Sequence, residues 1–200
     1  MDETAAINEA FAIITEAEPA GVSRRVLKHG ETFGVFDQCG NIMADEAGEE
    51  GLYHDGTRFL SRLELLLFRR RPLLLSSTIS RDNAVFVADV TNPDLLRDGA
   101  VVIQRGEIHV ARSRVLLAAQ CAERIRVTNY ALHPIDVPVT VRFDADFKDV
   151  FEVRGTRRPR PGERLPDVPG HDYQMRYLGV DGVERATRLR CAPGTWIQYG

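Results

Sequence analysis

The run Gly51–Ser61 combines side chains well suited to bind a hydroxyl-rich ligand. Tyr53, His54, Asp55 and Arg58 supply an aromatic ring, an imidazole, a carboxylate and a guanidinium. Asp55 before a glycine predicts a tight turn, and a guanidinium three residues later can form a bidentate ion pair with a carboxylate. We therefore predict that these four residues contact a sugar. The alternative interpretation is a structural turn whose Arg58 forms a salt bridge to a neighbouring strand.

A second polar cluster contains four acids followed by an arginine: Asp144, Asp146, Asp149, Glu152 and Arg154. Four carboxylates could hold a hard cation, but the spacing and the glycine of an EF-hand loop are missing, so no metal ligand is assigned. Phe143, Phe147 and Phe151 recur at intervals of four. This spacing predicts a turn of helix whose acids face solvent or Arg154. Contact of the acids with a sugar, a protein partner or a cation is the alternative.

The segment 154–169 contains five arginines and four prolines and is predicted to be a basic surface loop, free or docked on an acidic neighbouring domain. Such a cluster can bind nucleic acid, but the whole chain carries a net charge of −3, so no nucleic-acid partner is predicted. The histidines form no metal-binding pair, and there is no nucleophile elbow, phosphate-binding loop or dinucleotide motif. No catalytic residue and no cofactor is therefore assigned.

Length and composition describe a globular chain: 200 residues are 44% hydrophobic and 28% charged, enough to form a core without disulfides or metals. The three cysteines are far apart in the sequence and are predicted to be reduced, which favours the cytoplasm. No apolar run approaches the ~20 residues of a membrane-spanning helix, and the acidic N-terminus is unlike a secretory signal. We expect a cytoplasmic protein with no membrane partner.

The hydrophobic pattern divides the chain into residues 1–21 and 22–200. Within the first part, Thr4–Glu16 predicts either a short helix or a tail. From Val22 onward the period becomes two, with turn residues every ~8–12 positions. The chain is therefore predicted to be mainly β, an antiparallel β-sandwich of the supersandwich type over 22–200.

Three segments carry detailed expectations. In His109–Leu117, Val110 is predicted to alternate with Arg112 and Arg114, so that the arginines face away from the core. Ile135–Phe143 is predicted to be one strand, in which Pro138 marks an edge or a bulge. Residues 180–183 predict a hairpin turn between two further strands.

From about Leu27 to Gly155 the chain resembles the N-terminal domain of bacterial glycogen-debranching-type (amylo-α-1,6-glucosidase-like) proteins. The segments that carry the likeness are Leu27–Phe33, the Asp37–Gly40 turn, Gly51–Ser61, Leu74–Ser77, Asn92-Pro93, Ile125–Asn129 and Asp146–Gly155. One departure is that many relatives have an Arg-Asp pair before the Thr-Arg dipeptide, where this chain has Asp55-Gly56.

The resemblance implies a non-catalytic N-terminal β-sandwich of a glycoside hydrolase that acts in α-1,6-glucan metabolism. In that family the catalytic carboxylates lie in a C-terminal (α/α)6 domain, and this chain contains no helix-rich region of that kind. The implied partners are that helical domain and an α-glucan. A freestanding carbohydrate-binding or protein-interaction module is the alternative, and a small enzyme using Asp144–Glu152 is a third. The extended run 195–200 predicts that the natural protein continues past Gly200.

Overall fold

The computed structural model describes residues 24–44, 48–158, 160–170 and 172–192. The segment 4–16, predicted as a helix or tail, and the run 195–200 lie outside the described residues. Within the described ranges the chain forms sixteen strands and one short helix, α1 (Val150–Val153). The strand pairs of these residues are antiparallel, so the predicted mainly β, sandwich-type fold is confirmed.

Four sheets and one separate hairpin account for these strands. In order across each sheet, the first contains β1 (Arg25–His29), β2 (Thr32–Phe36), β4 (Gly51–His54) and β5 (Thr57–Leu60), and the second contains β13 (Val139–Asp144), β6 (Arg62–Leu67) and β3 (Ile42–Met43). The third contains β12 (Gln120–Asn129), β11 (Ile108–Leu117), β8 (Val85–Thr91) and β7 (Leu73–Ile79). The fourth contains β14 (Glu163–Val168), β15 (Asp172–Leu178) and β16 (Glu184–Arg190), and the separate hairpin contains β9 (Leu95–Arg97) and β10 (Ala100–Ile103).

Tight turns set the register of the short hairpins. Gly30 has φ +56° and closes β1 on β2, which pair from Arg25↔Phe36 to His29↔Thr32. Gly182, with φ +75°, closes β15 on β16 as the sequence predicts. A residue with positive φ gives a short loop a backbone twist that matches the right-handed twist of the two strands, so the loop can join them.

The core forms where the third sheet packs against the first and second. The larger of two apolar clusters joins Leu27, Phe36, Leu63 and Phe86 from these three sheets and also includes Phe147. The smaller cluster lies between β6, β8 and β11. Because both faces of β6 are covered, Glu64 and Leu66 are buried as well as the leucines on the opposite face. Such burial contributes about 1.5–3 kcal/mol for each large apolar side chain.

Two predicted boundaries are wrong for reasons connected with proline. The strand predicted over Ile135–Phe143 begins only at Val139, after Pro138, and β13 is an edge strand of its sheet. The segment 154–169 is not a loop throughout, because β14 occupies Glu163–Val168 within it. Pro166 falls where the β14–β15 register shifts, and since proline has no N–H to donate, an edge strand with an irregular register can accept it.

Among the residues that the structure describes, no helix has the length and apolar character needed to cross a membrane.

Candidate functional site

The Gly51–Ser61 run forms the β4–β5 hairpin and ends at the residue before β6. Asp55 and Gly56 occupy the two-residue turn with φ of 45° and 73°. Positive φ at both positions is the requirement of a type I′ turn, and Asp-Gly meets it at low cost. Opposite each other on the two strands lie His54 and Thr57, and then Tyr53 and Arg58.

Arg58 is a buried clamp and does not reach the surface. Only 2% of the residue is exposed. Its Nε and Nη2 donate to the two carboxylate oxygens of Asp146 at 3.0 and 2.5 Å. Its Nη1 donates to the carbonyls of Gly48 and Glu50 at 2.8 and 3.2 Å. All three guanidinium nitrogens are therefore used inside the protein.

The backbone brings the acidic segment against this hairpin. The Arg58 amide donates to the Lys148 carbonyl at 2.8 Å, and the Val150 amide donates to the Gly56 carbonyl at 2.8 Å. Thr57 and Asp149 form an isolated β-bridge between these contacts. The structure thus unites the two clusters that the sequence analysis treats separately, through a pair 88 residues apart.

The electrostatics of the clamp favour its charged form. Burial acts to lower the pKa of Arg58, but the hydrogen bonds and the charge of Asp146 outweigh it, so the pKa lies above its ordinary value. The neighbouring Tyr53 is buried, stacks on Phe33 with ring centroids 4.5 Å apart, and donates its hydroxyl to the Glu49 carbonyl. Burial raises the pKa of Tyr53, so this phenol stays neutral.

The predicted helical face of phenylalanines is wrong. Phe143 lies in β13, Phe147 is buried with φ +53°, and Phe151 lies in the four-residue helix α1 with 65% of its surface exposed. A positive φ at Phe147 is incompatible with a continuous helix, so the three rings do not share one face. Phe147 instead stacks on Tyr177 of the fourth sheet, with centroids 5.3 Å apart.

The acids of this segment have partners other than Arg154. Asp149 caps α1 by accepting from the amides of Phe151 and Glu152, and Glu152 accepts from the Asp149 amide. This reciprocal capping box uses both carboxylates structurally. The sequence predicts that these acids face solvent or Arg154. Arg158, and not Arg154, forms the ion pairs with Asp149 and Glu152. The Asp144 side chain is 63% exposed, as the solvent-facing alternative expects.

The exposed part of the site is the tip of the β4–β5 hairpin. The Asp55 side chain is 70% exposed and that of His54 is 34% exposed, with 3.4 Å between their Nε2 and Oδ2 atoms. His54 Nδ1 lies 2.8 Å from the Thr32 hydroxyl, which also accepts from the Ala119 amide. If Thr32 donates to Nδ1, the ring proton lies on Nε2 and faces Asp55. Of the four predicted sugar contacts, His54 and Asp55 are accessible, whereas Tyr53 and Arg58 are buried.

A second buried polar network was missed by the sequence analysis. The prediction that Arg112 and Arg114 face away from the core is wrong, because residues 108, 110, 112, 114 and 116 share one face of β11 and that face is buried. Arg112 donates to Glu123 Oε1 at 2.6 Å, to the Cys39 carbonyl at 2.7 Å and to Asn41 Oδ1 at 2.8 Å. Arg112 and Arg114 lie two and four residues after Val110, and residues at this spacing in a strand share one face. The sequence therefore contained the signal that the two arginines lie on the same face as Val110.

This network joins three sheets. Asn41 Oδ1 also accepts from the Leu65 amide, and the Asn41 amide donates to Asp37, so the Asp37–Gly40 turn is tied to β6 and β11. Arg114 donates through Nη2 to Glu123 Oε2 at 2.7 Å and lies over the Phe36 ring, 4.3 Å from its centroid. Burial lowers the pKa of Arg112, although the charge of Glu123 acts in the opposite direction.

Among the described residues, no group of three or more His, Cys, Asp or Glu side chains converges as a metal site would. The carboxylates nearest the hairpin are each engaged: Asp146 with Arg58, and Asp149 and Glu152 with α1 and Arg158. The arrangement holds backbone segments together and buries charge, while His54 and Asp55 present hydrogen-bonding groups at the surface of the hairpin tip.

Replacing Gly51 with alanine is expected to lower the free energy of unfolding by about 1–3 kcal/mol, because the new methyl group overpacks the clamp. A Cβ at this position would lie 2.5 Å from Arg58 Cδ and 2.9 Å from Tyr53 Cε2. Urea unfolding followed by circular dichroism measures the change. Gly30→Ala is the control, because it has no atom within 4 Å and adds only the strain of its positive φ. A smaller loss in Gly51→Ala than in Gly30→Ala would contradict the clamp geometry.

The fold and the site together define a class: an antiparallel β-sandwich domain whose characteristic polar residues form internal clamps. Residues 27–196 match the family model for the N-terminal domain of (some) glycogen debranching enzymes, and the chain belongs to this family. Comparisons with curated proteins and with solved structures gave no significant match.

Proposed function

We propose that this chain is the non-catalytic N-terminal domain of a glycogen-debranching-type glycoside hydrolase and that it supports a helical catalytic domain of the (α/α)6 type. The observation that carries the proposal is the Arg58–Asp146 clamp, in which two segments typical of the family meet inside the domain. A catalytic carboxylate must reach its substrate. Asp146 instead directs both oxygens at a buried guanidinium, which favours a structural role. The proposed setting is the cytoplasm, consistent with the free cysteines 39, 121 and 191.

The scaffold role is tested by expressing the complete protein with and without residues 1–200. We expect the shortened protein to lose most of its soluble, active fraction, because an apolar surface that packs on this domain becomes exposed. The purified 200-residue chain is expected to release no glucose from α-1,6-branched glucan. Full activity of the shortened protein, or hydrolysis by the isolated chain, would contradict the proposal.

We further propose that the hairpin tip contacts glucan through His54 and Asp55. A carboxylate and an imidazole accept or donate hydrogen bonds to sugar hydroxyls, and these two side chains reach solvent. Lys148, on the adjacent segment, has 43% of its side chain exposed. The contribution of the buried Tyr53 and Arg58 is then to hold the tip in place.

Asp55→Asn in the complete protein is expected to raise the KM for branched glucan by roughly tenfold or more with little change in kcat, since one hydrogen bond to a charged group contributes roughly 1.5 kcal/mol or more. Asparagine tolerates the positive φ of this turn, so the charge is the main change. Asp98→Asn is a matched control, because Asp98 also has positive φ and precedes a glycine. Equal KM values in both variants would remove the contact role and leave the scaffold role intact.

A freestanding carbohydrate-binding module is the second candidate, and the exposed ring of Phe151 favours it. An aromatic face at the surface can stack on the apolar face of a sugar ring. Glucan binding by the isolated 200-residue chain that is lost in Phe151→Ala would support this candidate. Absence of glucan binding by the isolated chain would exclude it.

A further inference from the structure

Three side chains of the first sheet lie in a line that ends at the tip of the β4–β5 hairpin. Thr32 of β2 pairs with His54 of β4, and Thr32 Oγ1 lies 2.8 Å from His54 Nδ1. On the other side of the ring, His54 Nε2 lies 3.4 Å from Asp55 Oδ2. A hydroxyl, an imidazole and a carboxylate in this order are also the components of a nucleophilic triad. The exposure of the hydroxyl and the position of the ring proton therefore determine what this line can do.

The Thr32 hydroxyl is placed to support the ring and not to attack a substrate. Only 2% of Thr32 is exposed, and its Oγ1 accepts from the Ala119 amide at 3.1 Å. Ala119 belongs to the two-residue turn between β11 and β12 and has φ +55°. The line thus begins at a turn of the third sheet and reaches solvent at Asp55, whose side chain is 70% exposed. A nucleophile must reach its substrate, and this hydroxyl does not.

The groups at the two ends of the ring set the position of its proton. The Asp55 carboxylate can only accept hydrogen bonds, so the ring nitrogen that faces it is more stable as an N–H. In a neutral ring with the proton on Nε2, Nδ1 has a lone pair and accepts from the Thr32 hydroxyl. Besides His54 and the Ala119 amide, Thr32 Oγ1 has no hydrogen-bond partner among the described residues. A proton on Nδ1 would therefore leave this buried hydroxyl without an acceptor.

We propose that Thr32 is a positioning residue for the hairpin tip, whose hydroxyl holds neutral His54 with its proton on Nε2. The Nε2–H group then faces one carboxylate oxygen of Asp55, and the second oxygen is left to accept from a sugar hydroxyl. Thr32 itself touches no ligand. The inference rests on the proposed contact between the hairpin tip and glucan.

NMR of the imidazole nitrogens in the whole 200-residue chain tests the proposal at a pH where the ring is neutral. Protonated and unprotonated ring nitrogens have distinct chemical shifts, so the spectrum gives the ratio of the two tautomers. We expect mainly the Nε2–H tautomer of His54 in the parent chain. Thr32→Val removes the hydroxyl and is expected to raise the proportion of the Nδ1–H tautomer roughly 2- to 10-fold, the range of one neutral hydrogen bond. Thr32→Ser restores the hydroxyl and is expected to restore the parent ratio. A proton mainly on Nδ1 in the parent chain, or an unchanged ratio in Thr32→Val, would overturn the proposal.

Thr128→Val is the matched control. Thr128 pairs with His109 across β12 and β11 as Thr32 pairs with His54, but its hydroxyl forms no hydrogen bond with any residue that the structure describes. His109 Nε2 lies 3.0 Å from Asp89 Oδ1, so this ring has a facing carboxylate without a threonine hydroxyl on its other nitrogen. We expect Thr128→Val to leave the tautomer ratio of both rings unchanged. Equal changes at His54 in Thr32→Val and Thr128→Val would overturn the proposal.

Kinetics of the complete protein provide the second readout. Thr32→Val is expected to raise the KM for branched glucan roughly 2- to 10-fold with little change in kcat, and Thr32→Ser is expected to restore the parent KM. A raised KM in Asp55→Asn, combined with an unchanged His54 tautomer in Thr32→Val, would overturn the role of Thr32 and leave the glucan contact intact. An unchanged KM in Asp55→Asn, combined with the expected tautomer change, would remove the glucan contact and uphold the role of Thr32 in holding His54.

Discussion

Replacing Glu123 with glutamine is expected to lower the free energy of unfolding by about 3–5 kcal/mol, the cost of removing one partner from a buried ion pair. Glu123 accepts from both Arg112 and Arg114, whose side chains are 1% and 0% exposed. Without the carboxylate charge, two guanidinium groups remain together in the core. The loss affects Arg114 more than Arg112, because Arg114 Nε and Nη1 already have no hydrogen-bond partner among the described residues.

Urea unfolding of the 200-residue chain measures this loss. Glu184→Gln is the matched control, because it breaks the surface pair between Glu184 and Arg176, where solvent screens the charges and little change is expected. Similar unfolding midpoints for Glu123→Gln, Glu184→Gln and the parent chain would show that the buried network does not stabilise the fold.

The same network gives an expected pH dependence. Burial raises the pKa of Glu123, but the charges and hydrogen bonds of Arg114 and Arg112 outweigh it, so its pKa lies below its ordinary value. A depressed pKa in the folded state stabilises the fold above the ordinary value of ~4.3, and this stabilisation is lost as the pH falls through the folded-state pKa. The difference in unfolding free energy between the parent chain and Glu123→Gln should therefore be full at pH 7 and shrink below about pH 4.

Replacing Asp146 with alanine is expected to cost about 3 kcal/mol of stability, since it leaves the Arg58 guanidinium buried without its carboxylate. The loss of the clamp also frees the segment that carries Lys148 and Asp149 from the β4–β5 hairpin. Arg58→Ala is expected to cost a similar amount. In the complete protein, both variants should reduce the folded fraction more than the kcat of the molecules that remain folded.

A double-mutant cycle separates the ion pair from general damage to the site. Arg58→Ala/Asp146→Ala is expected to cost less than the sum of the single changes by roughly 2 kcal/mol, because the second change removes a group that the first has already left unpaired. His54→Ala, in the same hairpin but with a partly exposed side chain, is the control and should change stability by less than about 1 kcal/mol. Additive single changes would mean that the pair contributes no coupling.

Local sequence rules determined much of this fold. The period of two and the turns at Gly30, Asp55-Gly56 and Gly182 predicted short antiparallel strands, and the structure has them at those places. These features depend on backbone φ and on residues a few positions apart, so one segment carries enough information to predict them.

The partners of the polar residues depended on tertiary structure. The sequence identified both Arg58 and Asp146, but not their pairing, because the two residues are brought together only when the segment after β13 folds against the β4–β5 hairpin. The same holds for Arg112 and Arg114, which the alternating pattern predicts to face outward. Their burial depends on Glu123 from β12 and on Asn41 from the first turn, groups that no local pattern connects.

The sequence by itself determined that this is a β-rich chain with the segments typical of its family, since strand period, turn residues and motif order are local properties. Only the tertiary structure decided which charges are buried and which reach solvent. A charged side chain is stable in the core only when a partner distant in sequence compensates its desolvation, and such a partner is supplied by the packing of sheets. That physical requirement turned Arg58 from a predicted ligand contact into a clamp and left His54 and Asp55 at the surface.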